Sequence, residues 1–116
     1  MKFIDVAFSQ RQVSCPVTTS PSPRKPAWVV EDWLMHQLPV RFVEPEPVSR
    51  DQLARAHERE YVDGVLDCRI PNGFRGCDAD VAESLLWTTG SFLTAARLAL
   101  DNATVACSPT SGFHHA

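Results

Sequence analysis

From Asp80 to Asp101 the chain runs without a proline and with one internal glycine, Gly90. Apolar residues Val81, Leu85, Phe92, Leu93, Ala96 and Leu100, with Thr89 between them, recur at helical spacing. Asp80 and Glu83 have capping-box spacing, so the helix is expected to begin there. Glycine inside a helix costs about 1 kcal/mol against alanine, which points to close packing against another element at Gly90. Asp101-Asn102 ends the helix, and Ala103 to Cys107 (ATVAC) follows at once as a short strand expected to be fully buried. A long helix running directly into a small apolar strand belongs to α/β architecture with a short parallel sheet flanked by helices. The loop after such a strand lies at its carboxyl end, where open parallel sheets place their sites.

The rest of the chain fits that frame. Lys2–Phe8 is a β-rich run and reads as a strand. Ser9–Pro26 holds Pro16, Pro21, Pro23 and Pro26 among Ser and Thr and reads as a long loop. Ala27–Leu38 carries a stripe of Val29, Val30, Trp33, Leu34 and Leu38, with Pro26 suited to its first turn and Pro39 as its stop. Val40–Val43 is a short strand, ended by Glu44-Pro45-Glu46-Pro47. Prolines at alternate positions keep that piece extended and peripheral. Ser49 and Gln52 form a capping box that opens a helix from Arg50 to about His57. A second helix begins near Glu60, and Pro71-Asn72-Gly73 makes a turn. One domain spans residues 1–116: a strand and Pro-rich loop over 1–26, a mainly helical part over 27–101, and a strand with its following loop over 103–116.

Composition removes several functions. With 11 Lys+Arg against 14 Asp+Glu, the chain is no basic nucleic-acid binder. No apolar run approaches the roughly 18 residues of a membrane span. Asp5 interrupts the apolar start, so no secretion signal is expected. Cys15, Cys68, Cys77 and Cys107 lack CxxC spacing; reduced thiols in a cytoplasmic protein are expected, and no structural zinc site.

The loop after ATVAC reads Ser108-Pro109-Thr110-Ser111-Gly112-Phe113-His114-His115-Ala116. Neighbouring imidazoles that titrate near neutral pH make this loop the candidate site. His36 and His57 read as solvated or structural, Asp78 as a helix N-terminal charge, Tyr61 as core packing, and Trp33 and Trp87 as helix-face packing.

The helix segment Thr94–Leu100, the strand ATVAC and the Ser-Gly-Phe-His-His-Ala loop together resemble the histone deacetylase superfamily. Upstream, Val43–Ser49 followed by Leu53, His57 and Glu60-Tyr61-Val62 is similar to the family stretch ending in His-x-x-x-Tyr-Val. The resemblance covers about residues 23–116. It implies part of the three-layer arginase/deacetylase-like fold and zinc-dependent hydrolysis of acetylated lysine, polyamines and similar amides. It implies that His114 and His115 are catalytic, with His115 as the proton carrier and His114 as electrostatic partner. Gly112 and Phe113 would shape the acyl channel and bind substrate.

In the family, the zinc ligands (an Asp-x-His pair and a later Asp) and the carbonyl-polarising Tyr follow the histidine dyad. Every Asp here precedes the dyad, and no Asp-x-His occurs. No metal-binding residue is therefore assigned, no cofactor is expected in this chain alone, and zinc is expected in a complete family enzyme. The functional expectation is an N-terminal amidohydrolase segment, inactive by itself. It would act on an acetylated amine only when completed by a complementary C-terminal half. The alternative is a free-standing, non-catalytic relic acting as an oligomeric interaction protein, because a sheet cut short exposes an edge that a second copy can cover.

Overall fold

The fold comes from a computed structural model that describes residues 2–111. It is mixed α/β, with a three-stranded parallel sheet among the described residues. The central strand β1 (Ile4–Ala7) has Asp5, Val6 and Ala7 buried. β2 (Val40–Val43) pairs along its whole length, Ile4 opposite Val40 and Ala7 opposite Val43. β3 (Ala106–Cys107) pairs on the other side, opposite Asp5 and Val6. The order is therefore β2-β1-β3.

Helix α1 (Lys25–Met35) starts two residues earlier than the stripe suggests, with Pro26 in its first turn. Only Pro26 and Val30 are buried; Val29, Leu34 and Leu38 are exposed. Among the described residues β2 is the outermost strand on its side of the sheet. The Ser49/Gln52 capping box forms, with Ser49 N donating to Gln52 Oε1 (2.9 Å) and Gln52 N to Ser49 Oγ (3.1 Å). The helix it opens, α2 (Arg50–Leu53), is shorter than expected. It is followed by α3 (Arg59–Leu66). Arg50 bridges Asp63 and Asp67 of this corner at 2.8 and 2.6 Å, and Arg59 pairs with Asp51 and Asp63. Tyr61 is half exposed and lies outside the core.

The long helix α4 (Ala79–Asp101) departs from expectation in two ways. Its N-cap is Asp78, and no Asp80/Glu83 capping box forms; Glu83 instead accepts the Trp87 indole N–H at 3.4 Å. Its buried face is Val81, Ala82, Ser84, Trp87, Gly90, Ser91 and Ala95, while Phe92 and Leu100 of the apolar stripe face outward. At Gly90 the inner face has no room for a side chain, because main chain approaches closely there. A Cβ at Gly90 would overlap the Glu46 carbonyl oxygen and lie 3.0 Å from Pro47 Cα. The Glu44–Pro47 segment thus crosses α4 with Pro45 fully buried, not peripheral, and Val48 N donates to the Leu86 carbonyl at 3.1 Å.

Three helices end on a left-handed residue that is not glycine: Gln37 after α1, Cys68 after α3 and Ala103 after α4. Each has the bond pair of a Schellman end; at α4, Thr104 N donates to Ala99 O (3.1 Å) and Ala103 N to Leu100 O (3.3 Å). This turn uses up the first residues of ATVAC. β3 is therefore two residues long and half-buried, with Val105 69% exposed, instead of a fully buried five-residue strand. No described helix is long and apolar enough to cross a membrane.

Candidate functional site

In the order β2-β1-β3, the loops after β1 and β3 leave neighbouring parallel strands at the same edge of the sheet. A cleft of about 700 Å³ opens there. The loop after β1 contributes Gln12, Ser14 and a run of hydroxyls from Thr18 to Ser22; the 73–75 turn contributes Arg75. Helix α4 adds Ser84, Leu85 and Thr88, and the loop after β3 adds Ser111. Among the described lining residues hydroxyl side chains are the most numerous and Arg75 is the cationic one, while Pro23, Phe74 and Leu85 help make the larger part of the exposed lining apolar.

Each wall is held by local chemistry. Ser9 and Gln12 form a reciprocal capping box on a 3-10 turn, Gln10–Gln12. Ser9 N donates to Gln12 Oε1 at 3.0 Å. Arg11 lies 4.8 Å over the Trp87 ring, which ties that turn to α4. Asn72 organises the other wall, its Oδ1 accepting from Phe74 N (2.8 Å) and its backbone N donating to Gly76 O (2.8 Å). At the end of β3, the buried Ser91 hydroxyl donates to Ala7 O at 2.6 Å and meets Ser108 Oγ at 2.7 Å. Gln12 Nε2 donates to Pro109 O at 2.9 Å, joining loops 97 residues apart.

Apart from Arg75, the described charged pairs sit away from the cleft lining. Asp5, buried in β1, takes Arg41 Nε at 2.6 Å, and this hydrogen bond holds its carboxyl below the usual range despite burial. Burial pushes the Cys107 thiol up, which suits a packing residue and not a nucleophile. All four cysteines are unbridged. His36, exposed and near Asp32, and His57, exposed beside Tyr61, stand apart from the cleft lining.

Gly112, Phe113, His114 and His115 lie outside the described residues; the description reaches Ser111 on the cleft wall. Among the described residues no three His, Cys, Asp or Glu side chains group to hold a metal ion. The described donor set does not fit a zinc site. Gln12, in the cleft lining, and Ser91, at the end of β3, are not among the residues the sequence points to. Gln12 carried a usable signal, since Ser9-x-x-Gln12 repeats the Ser49-x-x-Gln52 spacing; Ser91 carried none.

No protein-family model matches the chain, and no curated protein is significantly similar to it.

Proposed function

We propose that the chain is the N-terminal segment of a zinc-dependent amidohydrolase of the histone deacetylase type, with part of the arginase/deacetylase-like fold. In this reading it supplies the acid/base loop for hydrolysis of acetyl-amide bonds in a cytoplasmic enzyme. The supporting observation is the cleft beside the loops after β1 and β3, whose described lining includes Ser111, three residues before His114. His115 takes a proton from the attacking water and returns it to the leaving amine; His114 steadies the charge that develops. Gly112 and Phe113 border the acyl group. Metal ligands and a carbonyl-polarising donor come from a complementary C-terminal part.

Acetyl-lysine peptides and acetylpolyamines are the test substrates, assayed with zinc. The 116 residues by themselves should give no turnover. The protein including any polypeptide encoded in frame after Ala116 should turn over, and His115→Ala should lower that rate roughly 10²–10⁴-fold. Zinc-dependent turnover unaffected by His115→Ala overturns the reading.

A second reading, a non-catalytic oligomer of the same descent, draws on β3. This edge strand pairs on one side only among the described residues, and Leu100 (80% exposed) and Val105 flank its approach. Light scattering on the purified chain separates the two: the relic is a stable dimer or larger, the enzyme segment need not be.

A further inference from the structure

Of the four left-handed residues other than glycine among the described residues, three end helices; the fourth is Arg75, at φ 64° in the turn after Asn72. A backbone conformation that favours glycine holds an arginine there, and that arginine lines the cleft. Arg75 takes no part in the ion pairs of the described residues, although the Asp78 carboxylate lies beside the neighbouring Gly76. We propose that the cleft is a binding site for a small organic oxyanion, a carboxylate or phosphate monoester on an apolar body, whose charge Arg75 recognises. The proposal goes beyond the acid/base reading given above and does not depend on it.

The hydroxyls of the lining differ in what they have left to offer. Thr18 Oγ1 accepts from Ser20 N and Ser20 Oγ accepts from Ser22 N, both at 3.3 Å. Each commits a lone pair to main chain and keeps its O–H hydrogen free to donate. Ser14 is 7% exposed, and its hydroxyl has no hydrogen-bond partner among the described residues. No fully buried side-chain oxygen of the described residues lacks a partner, so the Ser14 hydroxyl opens into the cleft it lines. The free groups are thus hydrogen-bond donors beside a cation, and their complement is an acceptor that carries negative charge. No Asp or Glu is among the described lining residues, so a cationic ligand meets no counter-charge there.

The guanidinium fork matches the paired oxygens of a carboxylate or a phosphate. Phe74 and Leu85 supply apolar surface for the carbon body, and a cleft of about 700 Å³ has the size of a metabolite site. Both walls are fixed by the chain itself. Arg75 N donates to Asn72 O at 2.9 Å and Phe74 N to Asn72 Oδ1 at 2.8 Å, which sets the turn. Ser14 N donates to Pro23 O at 3.2 Å, which closes the loop that carries Thr18 and Ser20. A site formed in advance loses little ordering entropy on binding.

The experiment is an amide NMR titration of the full chain with phenyl phosphate, with phenylacetate and with benzyl alcohol as the neutral counterpart. At least one anion should bind saturably, move the amide signals of residues 73–76 and 18–22, and bind about ten-fold or more tightly than benzyl alcohol. Whichever anion binds more tightly identifies the head group as phosphate or carboxylate. Arg75→Gly removes the guanidinium and suits the left-handed backbone, so the turn is kept. It should weaken that anion by about ten-fold or more. Arg75→Asn, a residue also accommodated in this conformation, should do the same and decides the matter if the glycine variant does not fold. Saturable binding of neither anion, equally tight binding of benzyl alcohol, signal changes confined to other parts of the molecule, or unchanged anion affinity in a folded Arg75 variant overturns the proposal. The acid/base reading stands or falls separately, on turnover by His115→Ala.

Discussion

At Gly90, helix α4 has no space for a methyl group; at Ala103, just past its end, it carries a methyl group where the backbone is left-handed. Residue and local conformation are mismatched in opposite senses. Gly90 is a poor helix former inside a regular helix, kept because the Glu44–Pro47 segment crosses there. Ala103 is a good helix former at a position that favours glycine. Intrinsic propensity alone would place the two residues the other way round. The comparison separates the part of α4 dictated by tertiary contact from the part dictated by local backbone.

The largest expected effect comes from Gly90→Ala. In an open helix this change gains about 1 kcal/mol. Here the new Cβ meets main chain, Glu46 C at 2.9 Å and Pro47 Cα at 3.0 Å, which cannot rotate aside as a side chain would. Overpacking of this kind costs about 1–3 kcal/mol and more where backbone must move, so a net loss of about 3 kcal/mol is expected. Urea denaturation measures it. A gain in stability would mean that the crossing segment is not held against α4.

Ser91→Ala comes next and probes the same crossing half of the helix without adding bulk. The Ser91 hydroxyl is fully buried and serves both the Ala7 carbonyl and Ser108. Its removal leaves the Ser108 hydroxyl without its partner, at a cost of about 2 kcal/mol. Thermal unfolding reads the loss. Ser91→Cys, similar in shape and a weaker donor, should fall between. A neutral outcome for Ser91→Ala would show that water replaces the serine there.

What could be read from the sequence follows the same division. β1, β2, the Ser49/Gln52 cap and the Asn72 turn were legible because local chemistry decides them, and the close approach at Gly90 was legible because a glycine inside a helix marks a tertiary contact. The inner face of α4 was not. Hydropathy ranks Ser84 and Ser91 as surface residues, but both are buried, Ser84 donating to Val81 O in its own helix and Ser91 to Ala7 O of β1. The start of β3 was misplaced because no glycine marks the left-handed turn at Ala103. The cleft was half legible: the loop after ATVAC was expected to carry it, while Gln12 reaches Pro109 across nearly the whole chain, a distance no local pattern encodes.

The smallest effect, and opposite in sign to Gly90→Ala, is expected for Ala103→Gly. Ala103 has φ 49°, and its N–H and that of Thr104 close the helix onto Leu100 and Ala99. An L-residue in this conformation costs about 1–2 kcal/mol. Glycine removes that cost and adds about 0.5–1 kcal/mol of backbone entropy lost on folding. Ala103 is exposed, so its methyl group contributes little burial to set against the change. The variant should therefore be more stable by about 0.5–1 kcal/mol, seen as a higher urea midpoint with an unchanged slope. An unchanged slope matters, because a shallower one would locate the effect in the unfolded chain. Destabilisation would show that the helix does not end in a left-handed turn at Ala103, and that residues 103–105 extend β3 toward the full ATVAC strand. Stabilisation, paired with a loss at Gly90, would leave both ends of the comparison standing on separate physical grounds: steric exclusion at one, backbone conformation at the other.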